Sequence, residues 1–187
     1  MVKLTGRRVE LCEITSADLP TLWQWRNQER FMGLCSTRRN NVSLEEFEEE
    51  LLRDFERDRH LQFVIRRRHG LVNVGTIYTY NFNPTDGHAF VTIFVAEEHD
   101  GRGYGPEAMA LCLTYLFAEV GFYKVYLEVY DYNTSSLECI RGAGFSEEGR
   151  FKGHRKMGDK RYDLIRFAVY PSHLKSKQRI SDHLTKP

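Results

Sequence analysis

The sequence predicts a single α/β domain built on a mixed sheet with helices on both faces. Three observations carry that expectation. Strand and helix patterns alternate in the order strand, two helices, three strands, helix, strand, helix, two strands. The three middle strands are joined by short turns and so meander antiparallel. A glycine-rich loop then links a strand directly to a helix, so parallel and antiparallel pairs coexist in one sheet. A length of 187 residues suits one core rather than two. The domain is expected over 1–170, with a polar tail over 171–187.

Arg8 to Ile14 alternates apolar and polar residues as a strand does. Ser16 then offers a cap for a helix through Leu19, Leu22, Trp23 and Arg26. A connection with Gly33 and the basic, polar stretch Thr37 to Asn41 follows. Ser43-Leu44-Glu45-Glu46 reads as a capping box, and Leu44, Phe47, Leu51, Leu52 and Phe55 recur at helical spacing beyond it. Leu61 to Arg66 is a strand; Val72 to Asn83 is a longer one, joined by Asp86-Gly87 to Ala89–Ala96. Gly105 to Val120 is helical, with Met109, Cys112, Leu113, Leu116 and Phe117 on one stripe and Gly121 ending it. Lys124 to Tyr130 is a strand and Asn133 to Arg141 a short helix, after which Phe145–Lys156 and Lys160–Tyr170 form a hairpin.

Composition narrows the function classes. The 27 basic and 26 acidic side chains leave a net charge of +1, which supplies no field for nucleic acid. The N-terminus has no apolar leader and no run of apolar residues spans a bilayer, so a cytoplasmic protein without membrane contact is expected, as monomer or homodimer. Cys12, Cys35, Cys112 and Cys139 lie far apart without a paired motif, and the seven histidines have no metal spacing. No metal is expected.

The chemistry concentrates in Gly101-Arg102-Gly103-Tyr104-Gly105, placed between a strand and a helix. Glycines let backbone amides approach an anion, and the first turn of a helix adds unpaired donors at a positive dipole end. Spacing alone fits a tight turn and a phosphate cradle equally. A dinucleotide fingerprint is excluded because Pro106 stands where its third glycine belongs, and the Gly-Lys-Ser/Thr of a P-loop is absent.

Taken with Glu107-Ala108, the strand Lys124 to Tyr130, Asn133 with Ser136, and Gly144-Phe145, this loop resembles the GNAT acetyltransferases, and within them the RimJ/RimL-like branch that acetylates ribosomal-protein alanines. The resemblance covers most of the chain. It implies a central mixed seven-stranded sheet flanked by about four helices. It also implies acetyl-CoA as co-substrate, with Phe94 and Val95 pairing their backbones with the pantetheine arm. The amides of Gly101, Arg102, Gly103, Tyr104 and Gly105 would hold the pyrophosphate, and Asn133 and Ser136 would contact the arm. Asp100 stands where the family carries Gln or Arg, and Pro106 removes one donor.

Acyl transfer from a thioester to an amine needs a base, an oxyanion donor and a proton for the leaving thiolate. The resemblance implies a backbone N–H near Val95 for the oxyanion. The family's usual tyrosine acid is replaced by Ile140, leaving Ser136 as candidate; a plain helix-start hydroxyl is the competing role. Glu128 is the candidate base, against the alternation of Val125, Leu127 and Val129 that would merely turn it to solvent; Glu97 and Glu98 are weaker candidates. Cys139 reads as a small buried hydrophobe rather than a nucleophile. Trp25, Arg26, Tyr78 and Tyr80 are candidate acceptor residues, with Trp23, Asn27, Asn81 and His154 beside them. The expected activity is acetyl transfer to a primary amine: a protein N-terminus, a polyamine or a nucleotide-linked amino sugar. Arg38-Arg39 leans toward the acidic acceptors. A non-catalytic acyl-CoA-binding module of the same fold is the alternative.

Overall fold

A computed structural model describes residues 3–35, 40–56 and 60–175. Among them eight strands form one sheet in the order β1-β2-β3-β4-β5-β6-β8-β7. The strands are β1 (Lys3–Thr5), β2 (Val9–Glu13), β3 (Gln62–Arg67), β4 (Asn73–Asn83), β5 (His88–Val95), β6 (Lys124–Tyr130), β7 (Ser146–Met157) and β8 (Lys160–Val169). Neighbours are antiparallel except β5 and β6, which run parallel because α4 crosses between them. The helices are α1 (Leu19–Arg26), α2 (Glu29–Leu34), α3 (Leu44–Glu56), α4 (Tyr104–Ala118), α5 (Thr134–Gly142) and α6 (Pro171–Lys175).

The strand alternation decides which helix covers which face. Val125, Leu127 and Val129 of β6 join Val9, Leu11 and Ile65 under Cys112, Leu113 and Leu116 of α4 and Leu137 and Ile140 of α5. On the opposite face Val64 and Phe94 pack beneath Leu22 and Trp25 of α1, Phe31 of α2, and Phe47 and Leu51 of α3. Both clusters exclude water across the sheet, and this apolar burial is the main term holding the layers together.

The sheet has one strand more, and the flanks two helices more, than the seven and about four expected. All three additions are short: the two helices are under two turns and the strand has three residues. β1 is a three-residue edge strand paired through Leu4 to Leu11. The six residues of α2 had read as a connection because Gly33 lies among them. Pro171 starts α6 rather than a loose tail, since its missing N–H costs nothing at a first helical position; residues 176–187 lie outside the described residues.

The capping box before α3 forms as read: Ser43 N–H donates to Glu46 Oε2 at 2.8 Å and Glu46 N–H to Ser43 Oγ at 3.1 Å. Before α1 the cap is not Ser16. Ser16–Asp18 is a single 3₁₀ turn, and Asp18 accepts from Thr15 N–H at 3.0 Å and Thr15 Oγ1 at 2.7 Å. The same buried carboxylate takes Asn73 Nδ2 at 2.8 Å and Arg66 Nη2 at 3.2 Å, tying α1 to β3 and β4. Burial alone would raise the Asp18 pKa, but the Thr15 and Asn73 hydrogen bonds and the Arg66 charge outweigh it and hold the group below its ordinary value of 3.8. A carboxyl depressed in the folded state stabilises above its unfolded pKa and loses that contribution as pH falls through the folded one. Asp18→Asn is therefore expected to cost about 1–3 kcal/mol at neutral pH. The gap between variant and wild type should shrink as pH falls below that ordinary value, measured by urea unfolding against pH.

Candidate active site

The parallel pair is short. β5 and β6 pair only over His88–Phe90 and Lys124–Tyr126, although β5 continues to Val95 and β6 to Tyr130. Beyond Phe90 the two strands part, while β6 keeps its pairing with β8 through Tyr130↔Leu164. Ala96 N–H donates to Val74 O, and the Phe94 carbonyl lies hard against Gly75, so the even-numbered residues turn their backbones to β4. By alternation Val91, Ile93 and Val95 turn theirs into the gap. Val95 is thus where an oxyanion or pantetheine contact was expected. Phe94 is not: its backbone faces β4, and its ring is buried against Phe31 at 5.1 Å and Trp25 at 6.0 Å between centroids.

Two helices begin at the open end of this fork. After the turn Glu97–His99, β5 leads into α4, and β6 leads through Tyr132 into α5. Both N-termini therefore lie at the carboxyl ends of the parallel strands, the place where open α/β sheets receive ligands. Gly101 and Gly103 have φ of 72° and 75°, which ordinary residues adopt only with strain. Among the described residues the N–H groups of Gly101, Arg102 and Gly103 donate to no protein acceptor. The Arg8 guanidinium lies against Gly103 and reaches Arg102 O at 3.5 Å. Unpaired amides, a helix terminus and this cation suit a diphosphate. Tyr104 contributes only its backbone, since its ring is in the core, and Gly105 brings the helix start to Val95 Cγ2.

One of the two departures in the loop has a local explanation. Asp100 forms an ion pair with Arg30 of α2, so its charge is engaged away from the amides. Glu107, in the first turn of α4, accepts from Arg8 N–H at 2.8 Å and anchors the start of β2 rather than facing the loop. Asn133 caps α5, accepting from Ser136 N–H at 3.3 Å. The Ser136 hydroxyl, half-buried in that first turn, has no protein partner among the described residues. Ile140 is buried in the α5 core contact.

On the α1 side of the fork, polar groups gather over its apex. Phe90 and Tyr126, the last paired residues, stack at 4.9 Å. Arg166 of β8 lies over both rings and donates to Glu128 Oε1 from Nε at 3.0 Å and from Nη2 at 2.7 Å. Tyr80 Oη donates to Glu128 Oε2 at 3.2 Å. Glu128 is thus not a solvent-facing strand residue; its side chain is 18% exposed and both oxygens are engaged. Burial, and then the Glu128 charge, push the Tyr80 phenol above its ordinary range, so it remains a proton donor to Glu128.

α2 spans the gap. Its last turn offers orphan carbonyls, which are met by Arg155 Nη2 on Met32 O at 2.6 Å, Tyr132 Oη on Gly33 O, and Tyr78 Oη on Cys35 O at 3.0 Å. Cys35 Sγ sits 3.6 Å from Ile93 O, a group that faces the gap. Burial pushes the Cys35 thiol up to about 12.

The remaining candidates divide. Trp25 is core, as are most aromatic residues of its exposure. Trp23 Nε1 and Asn27 Nδ2 both donate to Val42 O, at 2.8 and 3.0 Å, fixing the chain before α3. Arg26 and Tyr78 line a pocket between α1, α3 and the β3–β4 surface. Glu97, Glu98, Asn81 and His154 are exposed, and Glu97 and Glu98 lie in the turn just beyond Val95. Cys139 is exposed, not buried, and desolvation raises its thiol pKa. Arg38 and Arg39 lie outside the described residues. Among the described residues no group of His, Cys, Asp and Glu could hold a metal ion, and no helix is long and apolar enough to cross a membrane.

Sequence reasoning missed Arg8, Arg30, Arg155 and Arg166. Arg166 could have been found: it sits opposite Glu128 in the β6–β8 register, where opposite charges attract. The others act across long sequence separations that carry no local signal.

A family model described as an acetyltransferase (GNAT) domain matches residues 8–146. Similar curated proteins include an SPbeta prophage-derived uncharacterized N-acetyltransferase of Bacillus subtilis, 29% identical over 79 residues, covering 42% of this chain and 45% of that protein. Another is the spermidine N(1)-acetyltransferase of Vibrio cholerae, 25% identical over 99 residues, covering 53% of this chain and 57% of that one. The chain spans about half the length of these curated relatives. Among solved structures, spermidine N-acetyltransferase from Vibrio cholerae in complex with CoA and spermine superposes with a TM-score of 0.83 at 22% identity, covering 90% of this chain and 99% of that one. A GCN5-related N-acetyltransferase from Brucella melitensis gives 0.78 at 21% identity, covering 98% and 86%.

Proposed function

The chain belongs to the GNAT acetyltransferase family, and on that premise we propose that it transfers an acetyl group from acetyl-CoA to a primary amine. The observation that carries this reading is the fork between β5 and β6, with helix N-termini at its open end and a carboxylate held beside its apex. When bound, acetyl-CoA supplies the thioester that the amine attacks.

Each residue has a task derived from its surroundings. The amides of Gly101, Arg102 and Gly103, with those of Tyr104 and Gly105 in the first turn of α4, hold the pyrophosphate, and Arg8 and Arg102 add charge. The Val95 N–H, directed into the gap, meets developing negative charge on the carbonyl oxygen. Glu128, its oxygens fixed by Arg166 and Tyr80, draws in the ammonium and takes its proton directly or through water. Ser136, with a free hydroxyl, donates toward the leaving sulfur, while Asn133 holds the start of α5.

The acceptor is a protein N-terminus, a polyamine or a nucleotide-linked amino sugar. The polyamine is suggested by the spermidine acetyltransferases that share this fold, and the protein N-terminus by the RimJ/RimL-like motifs. The competing reading is a non-catalytic acyl-CoA-binding module, favoured by the buried Ile140 at the position of the usual acid. Thiol release from acetyl-CoA across an amine panel separates them: tight CoA binding with no release on any amine would sink the enzyme reading. Ser136→Ala is expected to lower kcat about tenfold or more. Stability should move by less than about 0.5 kcal/mol, because Asn133 caps the helix through the Ser136 N–H and not the hydroxyl. Unchanged kcat would leave Ser136 as a helix-start residue only.

A further inference from the structure

Between α1, α3 and the strands β3 and β4 lies a pocket of about 140 Å³. Its walls are mostly apolar, from Leu22, Phe31 and Phe47, with Tyr78 and Thr76 contributed by β4. Arg26 lines it from the end of α1. The residue is only 7% exposed, and its buried Nη1 has no hydrogen-bond partner. No ion pair or hydrogen bond to this guanidinium occurs among the described residues. A permanently charged group removed from water without a counter-charge is costly, and proteins pair or solvate such groups. Its planar fork matches a carboxylate.

The charge pattern along the pocket adds to this. The cation lies deep, whereas Asp54 is exposed on α3 at the mouth. A ligand that complements this gradient carries a carboxylate at its inner end and an ammonium outward. The small volume admits a compact molecule and excludes a nucleotide. Phe31 walls the pocket and also packs on Phe94 of β5, so the pocket adjoins the strand that borders the gap.

From these features we infer that the pocket binds a small molecule bearing both a carboxylate and an amine, and that Arg26 is the group that meets the carboxylate. The inference rests on the acetyltransferase reading only for the further statement that this molecule is the amine acceptor. Binding itself is measured without turnover.

Calorimetry with β-alanine, propionate and propylamine tests it. β-Alanine should bind saturably, propionate more weakly, and propylamine least. Arg26→Met keeps the apolar stem and removes the charge; it should weaken β-alanine binding about tenfold or more while leaving CoA affinity unchanged. Arg26→Lys, which keeps the charge but loses the fork, should fall between, and it serves if the Met variant does not fold. Equal affinity in wild type and both variants, or binding of propylamine as tight as β-alanine, overturns the proposal, as does the absence of binding by any carboxylate. Acetylation of β-alanine, with KM raised and kcat little changed in Arg26→Lys, makes the ligand the acceptor; binding without acetylation makes the pocket an effector site. Failure of CoA itself to bind would count against the acetyltransferase reading and leave the pocket result standing.

Discussion

Replacing Gly103 by alanine is expected to weaken CoA binding by about tenfold to a hundredfold, the cost of one charge-assisted hydrogen bond at the loop. Two effects combine at this position. The backbone has a φ of 75°, which costs an L-residue about 1–2 kcal/mol. An added Cβ would also collide with the Arg8 guanidinium, displacing the cation beside the amides. Gly101 separates these effects, because its φ of 72° brings the same strain while a Cβ there meets nothing within 4 Å. Gly101→Ala should lower Tm by about the same amount, roughly 2–4 °C per kcal/mol for a chain of this size, with a smaller loss of affinity. Calorimetry of CoA and thermal melts on both variants measure the pair. Wild-type CoA affinity in Gly103→Ala, with a lowered Tm, would refute the placement of the pyrophosphate.

The second large effect is expected on the fold. At Gly75 an added Cβ would collide with the Phe94 carbonyl and lie 3.1 Å from Val95 Cα. Neither is a flexible side chain, so β4 and β5 must separate where β5 borders the gap. Gly75→Ala should cost about 1–3 kcal/mol or more, read by urea unfolding, and should raise the KM for acetyl-CoA by moving Val95. Gly33→Ala is the comparator: open space surrounds it and α2 tolerates alanine, so it should be neutral or stabilising. A Gly75→Ala protein as stable as wild type would mean that the strands are not held as close as described.

What could be read beforehand followed the range of the interactions. Long periodic segments such as α4 and the β3–β5 meander announce themselves, because burial repeats every second or every third to fourth residue. α2 does not: six residues around a glycine have no period, and the helix exists because three distant side chains satisfy its terminal carbonyls. At the site, the loop Gly101 to Gly105 was legible because the backbone conformation demands glycine at two positions. Glu128 was visible only as an out-of-pattern carboxylate. Its alternation correctly put it away from α4, and cross-strand pairing could have suggested Arg166, but nothing local could say that Tyr80 waits on that side. The ion pair of Asp100 was hidden for the same reason, since Arg30 lies seventy positions earlier in the chain.

The bonds at the end of α2 have a mechanical consequence. Tyr78 belongs to the β4–β5 half of the sheet, whereas Tyr132 and Arg155 belong to the half that begins with β6. Among the described residues β5 and β6 pair as strands only over His88–Phe90 and Lys124–Tyr126, so the halves are two leaves sharing a short hinge. α2 is the cross-tie between their free edges. Spreading the leaves on that side requires those hydrogen bonds to break, and amide exchange at Val91, Ile93 and Val95 should follow the release of a helix that carries none of the groups assigned to the chemistry.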